Sequence, residues 1–351
     1  MEFGVQFFPS VGPETMTGAQ YYEECLALCD LMDRYGYSHA RTVEHYFLSY
    51  GGYAPAPMVF LAAASQRTKK ARMVTGAVLP VFNNPLKIAG EAGMLDAISG
   101  GRLDLGMARA FLPHEFEKFG ISLDESVARF DEGSAQIRQL LEEENVTCQG
   151  RFHSFENVTS LPRPTQKPRP PIWTATTTTP ASFVKAGERG DFIMAIPLIS
   201  SLMDELLGLY RAAWQSAGHA GKGKVMLALH MFCHDDEDEA VRIARDPLNR
   251  YLGAILDAAR PWVEGTASKD YPGYDKMYRA LQEQSFETQV ASGAAWVGTP
   301  ERIIDQIEAY QEIVDFEVAS MQINFGHIPF DAAERSMHLF GEKVMPQFAA
   351  G

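Results

Sequence analysis

Cysteine is scarce, with only Cys25, Cys29, Cys148 and Cys233 in 351 residues. No pair has CxxC spacing, and Cys25 and Cys29 stand one helical turn apart. Neither a disulfide framework nor a zinc knuckle is indicated. Reduced thiols in a cytoplasmic protein are the expectation. Basic charge is also short: 31 Lys and Arg stand against 45 Asp and Glu, for a net charge of −14. That balance argues against a general nucleic-acid binder, which needs a basic face to neutralise phosphate. No run approaches the roughly 18 apolar residues of a membrane span. The opening MEFGVQFFPS lacks the basic and apolar regions of a signal peptide. Phosphate and hydrolase motifs are missing too. No GxGxxG follows a strand-like run, and GxSxG is absent. Residues 218–224, GHAGKGK, imitate P-loop spacing, but Val225 stands where a magnesium-binding hydroxyl belongs. That segment also runs from helix to strand, the reverse of a P-loop, so it reads as a loop. His230 and His234 lie where a strand runs into a helix start and share no helical face, so no metal site is expected.

The chain is otherwise of globular composition, with 46% hydrophobic, 22% charged and 11% aromatic residues. Strand-like runs are expected at 3–8, 38–43, 71–79, 102–108, 171–175, 192–196, 224–233 and 317–324. Each leads to a helical pattern, at 17–35, 57–69, 85–98, 123–144, 180–188, 200–216, from 235, and at 330–348. Alternating strand and helix units imply a parallel sheet. Eight such units in this length predict an α/β fold, a single (β/α)₈ TIM barrel over 1–351. Two stretches break the rhythm. Residues 146–170 form an excursion before strand five, and 247–298 read as a long irregular insertion rich in aromatics, a candidate lid.

Three features fall where such a barrel carries its chemistry, at the carboxyl ends of strands. Glu44 and His45 end the second strand, and a histidine there can act as acid or base near neutral pH. A core or capping histidine is the other reading. Arg109 directly follows the fourth strand, where a guanidinium can clamp an anion. The alternative is a solvated loop arginine. Thr176, Thr177, Thr178 and Thr179 lie between the fifth strand and a helix beginning near Pro180. Hydroxyls and free amides at a helix start make a phosphate nest, although ordinary N-capping by one threonine explains the run equally well. Arg109 and the threonines lie on consecutive barrel strands and can meet across one pocket.

The segments TVEHYF, TGAVLPVFNNPLKIAGEAGMLDAISGGRLDLGMARAF (75–111), PIWTATTTTPASFVKAGERGD (171–191), VGTPERIIDQIEAY and MQINFGHIPFDAAERSMHLFGEKVMP resemble the bacterial luciferase-like, flavin-dependent monooxygenase family. The resemblance implies a luciferase-like TIM barrel that takes reduced FMN from a separate flavin reductase. Oxygen would add at the flavin C4a carbon, and the resulting (hydro)peroxide would oxidise a small organic substrate. On that likeness His45 is the catalytic histidine, with Glu44 in support. Arg109 corresponds to the flavin-phosphate arginine and Thr177 and Thr178 to the phosphate turn, so the phosphate is expected between Arg109 and Thr176–Thr179. Gly76 adjoins a non-proline cis peptide expected near Thr75–Gly76. Phe7, Phe8, Tyr46, Phe47 and Phe111 are candidates to line the pocket. A homodimer built on helices of the first half of the barrel is expected by the same analogy. Ala108 replaces the reactive cysteine of luciferases, and the acidic residue they carry near Thr177 is missing, so light emission is not implied. Two alternatives stay open: an F420-dependent hydride-transfer enzyme of the same fold, and a non-catalytic partner subunit.

Overall fold

The computed structural model describes residues 1–197 and 200–348. Its strands in chain order are β1 (Glu2–Phe7), β2 (His39–Thr42), β3 (Arg72–Thr75), β4 (Leu103–Met107), β5 (Val146–Gln149), β6 (Ser154–Val158), β7 (Ile172–Thr176), β8 (Phe192–Ala195), β9 (Val225–Cys233), β10 (Ala295–Gly298) and β11 (Val318–Gln322). Eight of them close a parallel ring in the order β1-β2-β3-β4-β7-β8-β9-β11, with β11 returning to β1. The closing register runs from Glu2 opposite Val318 to Gln6 opposite Gln322. These eight coincide with the strand-like runs of the sequence. Each is short and almost wholly buried, as expected for strands covered by helices on one side and barrel contents on the other.

Two packed regions follow from strand alternation. Val74, Trp173, Met194, Met226 and Val318 point inward and fill the barrel. Outward-facing residues such as Phe7 pack against the helical ring, where Phe7 meets Phe60 edge-on. The helix Pro85–Ser99 shows the local logic. Asn84 caps its start by accepting from the Leu86 amide, proline occupies its first turn, and Gly100 ends it in the left-handed region at φ 70°.

The structure departs from the sequence reading in several places. Residues 247–298 are mostly helical, and irregular chiefly over 263–273. They begin inside the helix Glu237–Ala259, continue through helices Tyr274–Gln282 and Phe286–Ala291, and end in β10. That strand pairs with His230–Cys233, the upper half of β9, whose lower half pairs with β8 and β11. The aromatics of this segment are buried: Tyr251, Trp262, Tyr271, Tyr274 and Tyr278 all belong to the core. Within the excursion read at 146–170, and in keeping with that reading, residues 146–158 form an antiparallel hairpin outside the ring, β5 with β6. The expected helix 123–144 is a 3₁₀ turn, Leu123–Glu125, followed by the helix Ser126–Glu142. A short helix, Pro113–Phe119, has no counterpart in the sequence reading. The non-proline cis bond is Gly76–Ala77. Among the described residues no helix is long and apolar enough to cross a membrane.

Candidate active site

The carboxyl ends of the strands surround a cavity of about 350 Å³. Glu44, His45, Gly76, Arg109, Thr176, Thr177 and Thr179 all line it, while Thr178 does not. Of the five aromatics expected to line it, Phe8 and Phe111 do so. Phe7 points outward by strand alternation. Tyr46 turns to Glu44, and Phe47, at φ 71° and 59% exposed, points away.

His45 is held by a residue the sequence did not single out. Its Nδ1 lies 3.0 Å from Oε1 of Glu115, and the same oxygen accepts the Tyr46 amide at 3.0 Å. Glu115 is fully buried in the first turn of the helix Pro113–Phe119. Gly51 closes the other side: a Cβ there would fall 2.5 Å from Cβ of His45, and its φ of 80° suits glycine. Glu44 does not touch His45. Both residues lie in the loop just after β2, which ends at Thr42, rather than on the strand itself. The Glu44 carboxyl accepts instead from the Leu79 amide at 3.0 Å, from Asn83 Nδ2 at 2.7 Å and from the Tyr46 hydroxyl. Burial pushes its pKa up to about 7 despite those donors.

Arg109 sits at the mouth. Its Nη1 donates to the Asp270 carbonyl at 2.6 Å, and its guanidinium stacks on Tyr271 at 4.3 Å. Asp270 is itself fixed, its carboxylate accepting from the Val127 amide at 3.0 Å. The covering segment is pinned twice more. Trp262 Nε1 donates to the Phe111 carbonyl at 3.0 Å, and the Tyr271 hydroxyl donates to the Ala110 carbonyl at 2.9 Å. In the same cavity, Thr176 Oγ1 is buried without a hydrogen-bond partner, and Thr179 makes no side-chain cap on the helix Pro180–Arg189. Thr177 Oγ1 lies 3.5 Å from the Tyr274 hydroxyl. Hydroxyls not consumed by capping, a helix N-terminus and an arginine thus share one wall, a donor set that fits a phosphate group.

Sequence reasoning also missed Gln6, Arg41, Tyr50 and Tyr251, which line the cavity from β1, β2, the loop after β2 and the helix Glu237–Ala259. Arg41 lies inside the barrel on β2, 4% exposed, and burial lowers its pKa to about 10. The local sequence SHARTV gives no sign of a buried arginine. Glu115 carries only a weak signal, because an acid in a helix first turn is ordinary.

Comparison with known proteins agrees with this geometry. A family model described as luciferase-like monooxygenase matches residues 1–315. The oxygenase component of a flavin-dependent trigonelline monooxygenase from Acinetobacter baylyi is 30% identical over 343 residues, covering 96% of this chain and 92% of that protein. The crystal structure of monooxygenase RslO1 from Streptomyces bottropensis superposes with a TM-score of 0.88 at 41% identity, covering 99% of this chain and 100% of that one. At 20% identity, the oxygenating constituent of 3,6-diketocamphane monooxygenase from Pseudomonas putida, solved with FMN, shares the fold with a TM-score of 0.83 over 100% of this chain and 99% of its own. The barrel, the cavity at its carboxyl edge and these matches together place the chain in the luciferase-like monooxygenase family, as an oxidoreductase.

Proposed function

We propose that the protein uses reduced FMN and dioxygen to oxygenate a small organic substrate, the flavin arriving from a separate reductase. The observation that carries this reading is one cavity with a phosphate-type donor set on one wall and a histidine–carboxylate pair on another. Arg109, Thr176, Thr177, Thr179 and the N-terminus of the helix Pro180–Arg189 hold the phosphate, and Gly76 seats the ring. Bound there, reduced flavin supplies the electrons for reaction with oxygen.

The chain supplies position, dryness and proton handling. Glu115 Oε1 already accepts the Tyr46 amide, so it also accepts the proton on Nδ1 of His45. That leaves Nε2 as the basic atom facing the cavity, able to take a proton from substrate and return it. Glu44 supports the wall through Leu79 and Asn83 rather than through His45. Residues 260–274 serve as the lid, with Trp262 and Tyr271 bonded to the loop after β4. Phe8, Phe111 and Met194 give the cavity apolar walls that exclude water. The protein works in the cytoplasm as a homodimer. Val59, 72% exposed, and Met94, 56% exposed, supply apolar surface on the helices Pro57–Arg67 and Pro85–Ser99.

Anaerobic titration with FMN, photoreduced FMN and F420 tests the cofactor. Oxygen uptake with NADH and a flavin reductase, followed by ¹⁸O₂ labelling of product, tests the reaction. Tight binding of reduced FMN and label in the product are expected. Binding of F420 alone would turn the reading to hydride transfer. No binding of any cofactor would make the chain a non-catalytic partner subunit.

A further inference from the structure

Among the described residues two cations of the cavity are neither fully exposed nor paired with a carboxylate, Arg109 at the mouth and Arg41 inside, and only Arg109 is explained by a phosphate. Lys185 and Arg189 both pair with Asp131. Lys269 is exposed. Arg41 is different. Its Nη1 donates to Gln6 Oε1 at 2.9 Å and its Nη2 to the Gly76 carbonyl at 3.2 Å, both neutral acceptors. Its Nε has no partner. Among the described residues no carboxylate comes within ion-pair distance of it. The acids that share the cavity are engaged elsewhere: Glu44 with Leu79 and Asn83, Asp131 with Lys185, Asp270 with Val127. A buried, uncompensated guanidinium is costly. It persists where a ligand brings the missing charge.

The location says which part of the ligand. A Cβ at Gly76 would fall 1.9 Å from Arg41 Nε, so the Arg41 side chain packs directly against Gly76. That residue is the seat of the ring in the flavin reading, on which this inference rests. Arg109 therefore marks the phosphate end and Arg41 the ring end. The oxidised flavin ring is neutral. The reduced ring readily ionises to an anion whose charge is shared between N1 and the C2 oxygen. A fixed positive charge in a poorly solvated site binds the anion and gives the neutral ring much less. We infer that Arg41 is the counter-ion of the reduced flavin ring, and that through it the site selects reduced over oxidised FMN. An oxygenase fed by a separate reductase benefits directly, because spent oxidised flavin then leaves the site to the incoming reduced form.

The full-length protein is titrated anaerobically with FMN and with photoreduced FMN, as wild type, Arg41→Met and Arg41→Lys. The wild type should prefer the reduced form. Arg41→Met should lose about tenfold or more of that preference, with a small change for oxidised FMN, and Arg41→Lys should keep most of it. An equal shift of both affinities in Arg41→Met overturns the inference while leaving the flavin site standing. If that variant also stops binding benzoate beside bound flavin, the guanidinium belongs to an acidic organic substrate instead. A wild type that binds neither flavin form removes the flavin reading and this inference with it. Should Arg41→Met fail to fold, the absorbance of reduced flavin on the wild type at about pH 6 decides. An anionic spectrum is expected there because the neighbouring cation favours ionisation. A neutral one refutes the assignment.

Discussion

Replacing Arg109 by alanine should weaken FMN binding, but the structure shows why affinity for FMN alone is the wrong readout. The guanidinium does two jobs. It faces the cavity beside the threonine wall, and it holds the covering segment through the Asp270 carbonyl at 2.6 Å and the Tyr271 ring at 4.3 Å. A charge-assisted contact to phosphate is worth about 1.5–3 kcal/mol, or roughly ten- to 150-fold in Kd. The cation–π contact adds about 0.5–2 kcal/mol to lid closure, and its loss weakens every ligand alike. Riboflavin, which lacks the phosphate, separates the two effects. Kd values for FMN and riboflavin, reduced and oxidised, are measured by fluorescence titration on wild type and Arg109→Ala. The FMN-to-riboflavin ratio should collapse by roughly ten- to 150-fold in the variant. Any common loss reports on the lid. A ratio unchanged by the substitution would show that Arg109 is a lid tether only and that the phosphate sits elsewhere.

Thr176→Val removes a buried hydroxyl that has no protein partner. It should cost FMN about 1 kcal/mol, or about fivefold, and riboflavin nothing in the same titration. His45→Ala should lower turnover of any accepted substrate by roughly 10²–10⁴-fold with reduced-FMN affinity little changed. Glu115→Gln keeps an oxygen for His45 Nδ1 and the Tyr46 amide and should lose less than Glu115→Ala, and equal losses would count against orientation of His45 by Glu115. The Glu44 carboxyl, raised by burial from 4.5 to about 7, binds its proton more tightly in the folded chain. Its contribution to stability is complete below about pH 4.5, is lost as pH rises through about 7, and amounts to roughly 3 kcal/mol. Urea unfolding at pH 5 and pH 8 should show that fall in wild type and a smaller one in Glu44→Gln. Trp262→Ala should destabilise by about 3–5 kcal/mol and speed proteolysis within 260–274, because it empties a buried site and removes the bond to Phe111.

The eight ring strands were legible because each is a short strand-like run leading to a helical pattern, and the count of eight such units implied closure. The strand β10 was not, because AWVG follows Gly293 closely and ends in Gly298, inside a long stretch with no regular alternation of strand and helix patterns. His45, Arg109 and three of the four threonines could be placed at the cavity from their position after strands. Arg41 and Glu115 could not. A charged residue in a strand or in a helix first turn reads as solvated until the ring is closed around it. Which threonine turns away from the cavity is likewise a matter of backbone direction, and residue type is silent on that.

The double pairing of β9 has a practical consequence for chimeras. Both ends of the segment that covers the pocket are anchored in regular structure, one in the helix Glu237–Ala259 and the other in β10, hydrogen-bonded to His230–Cys233. Crossover points at those two ends leave every ring strand and its register untouched. Residues 260–294 thus behave as an exchangeable cassette. Swapping it between relatives would alter what the mouth admits while the barrel, its interior packing and the β9 ladder fold as before.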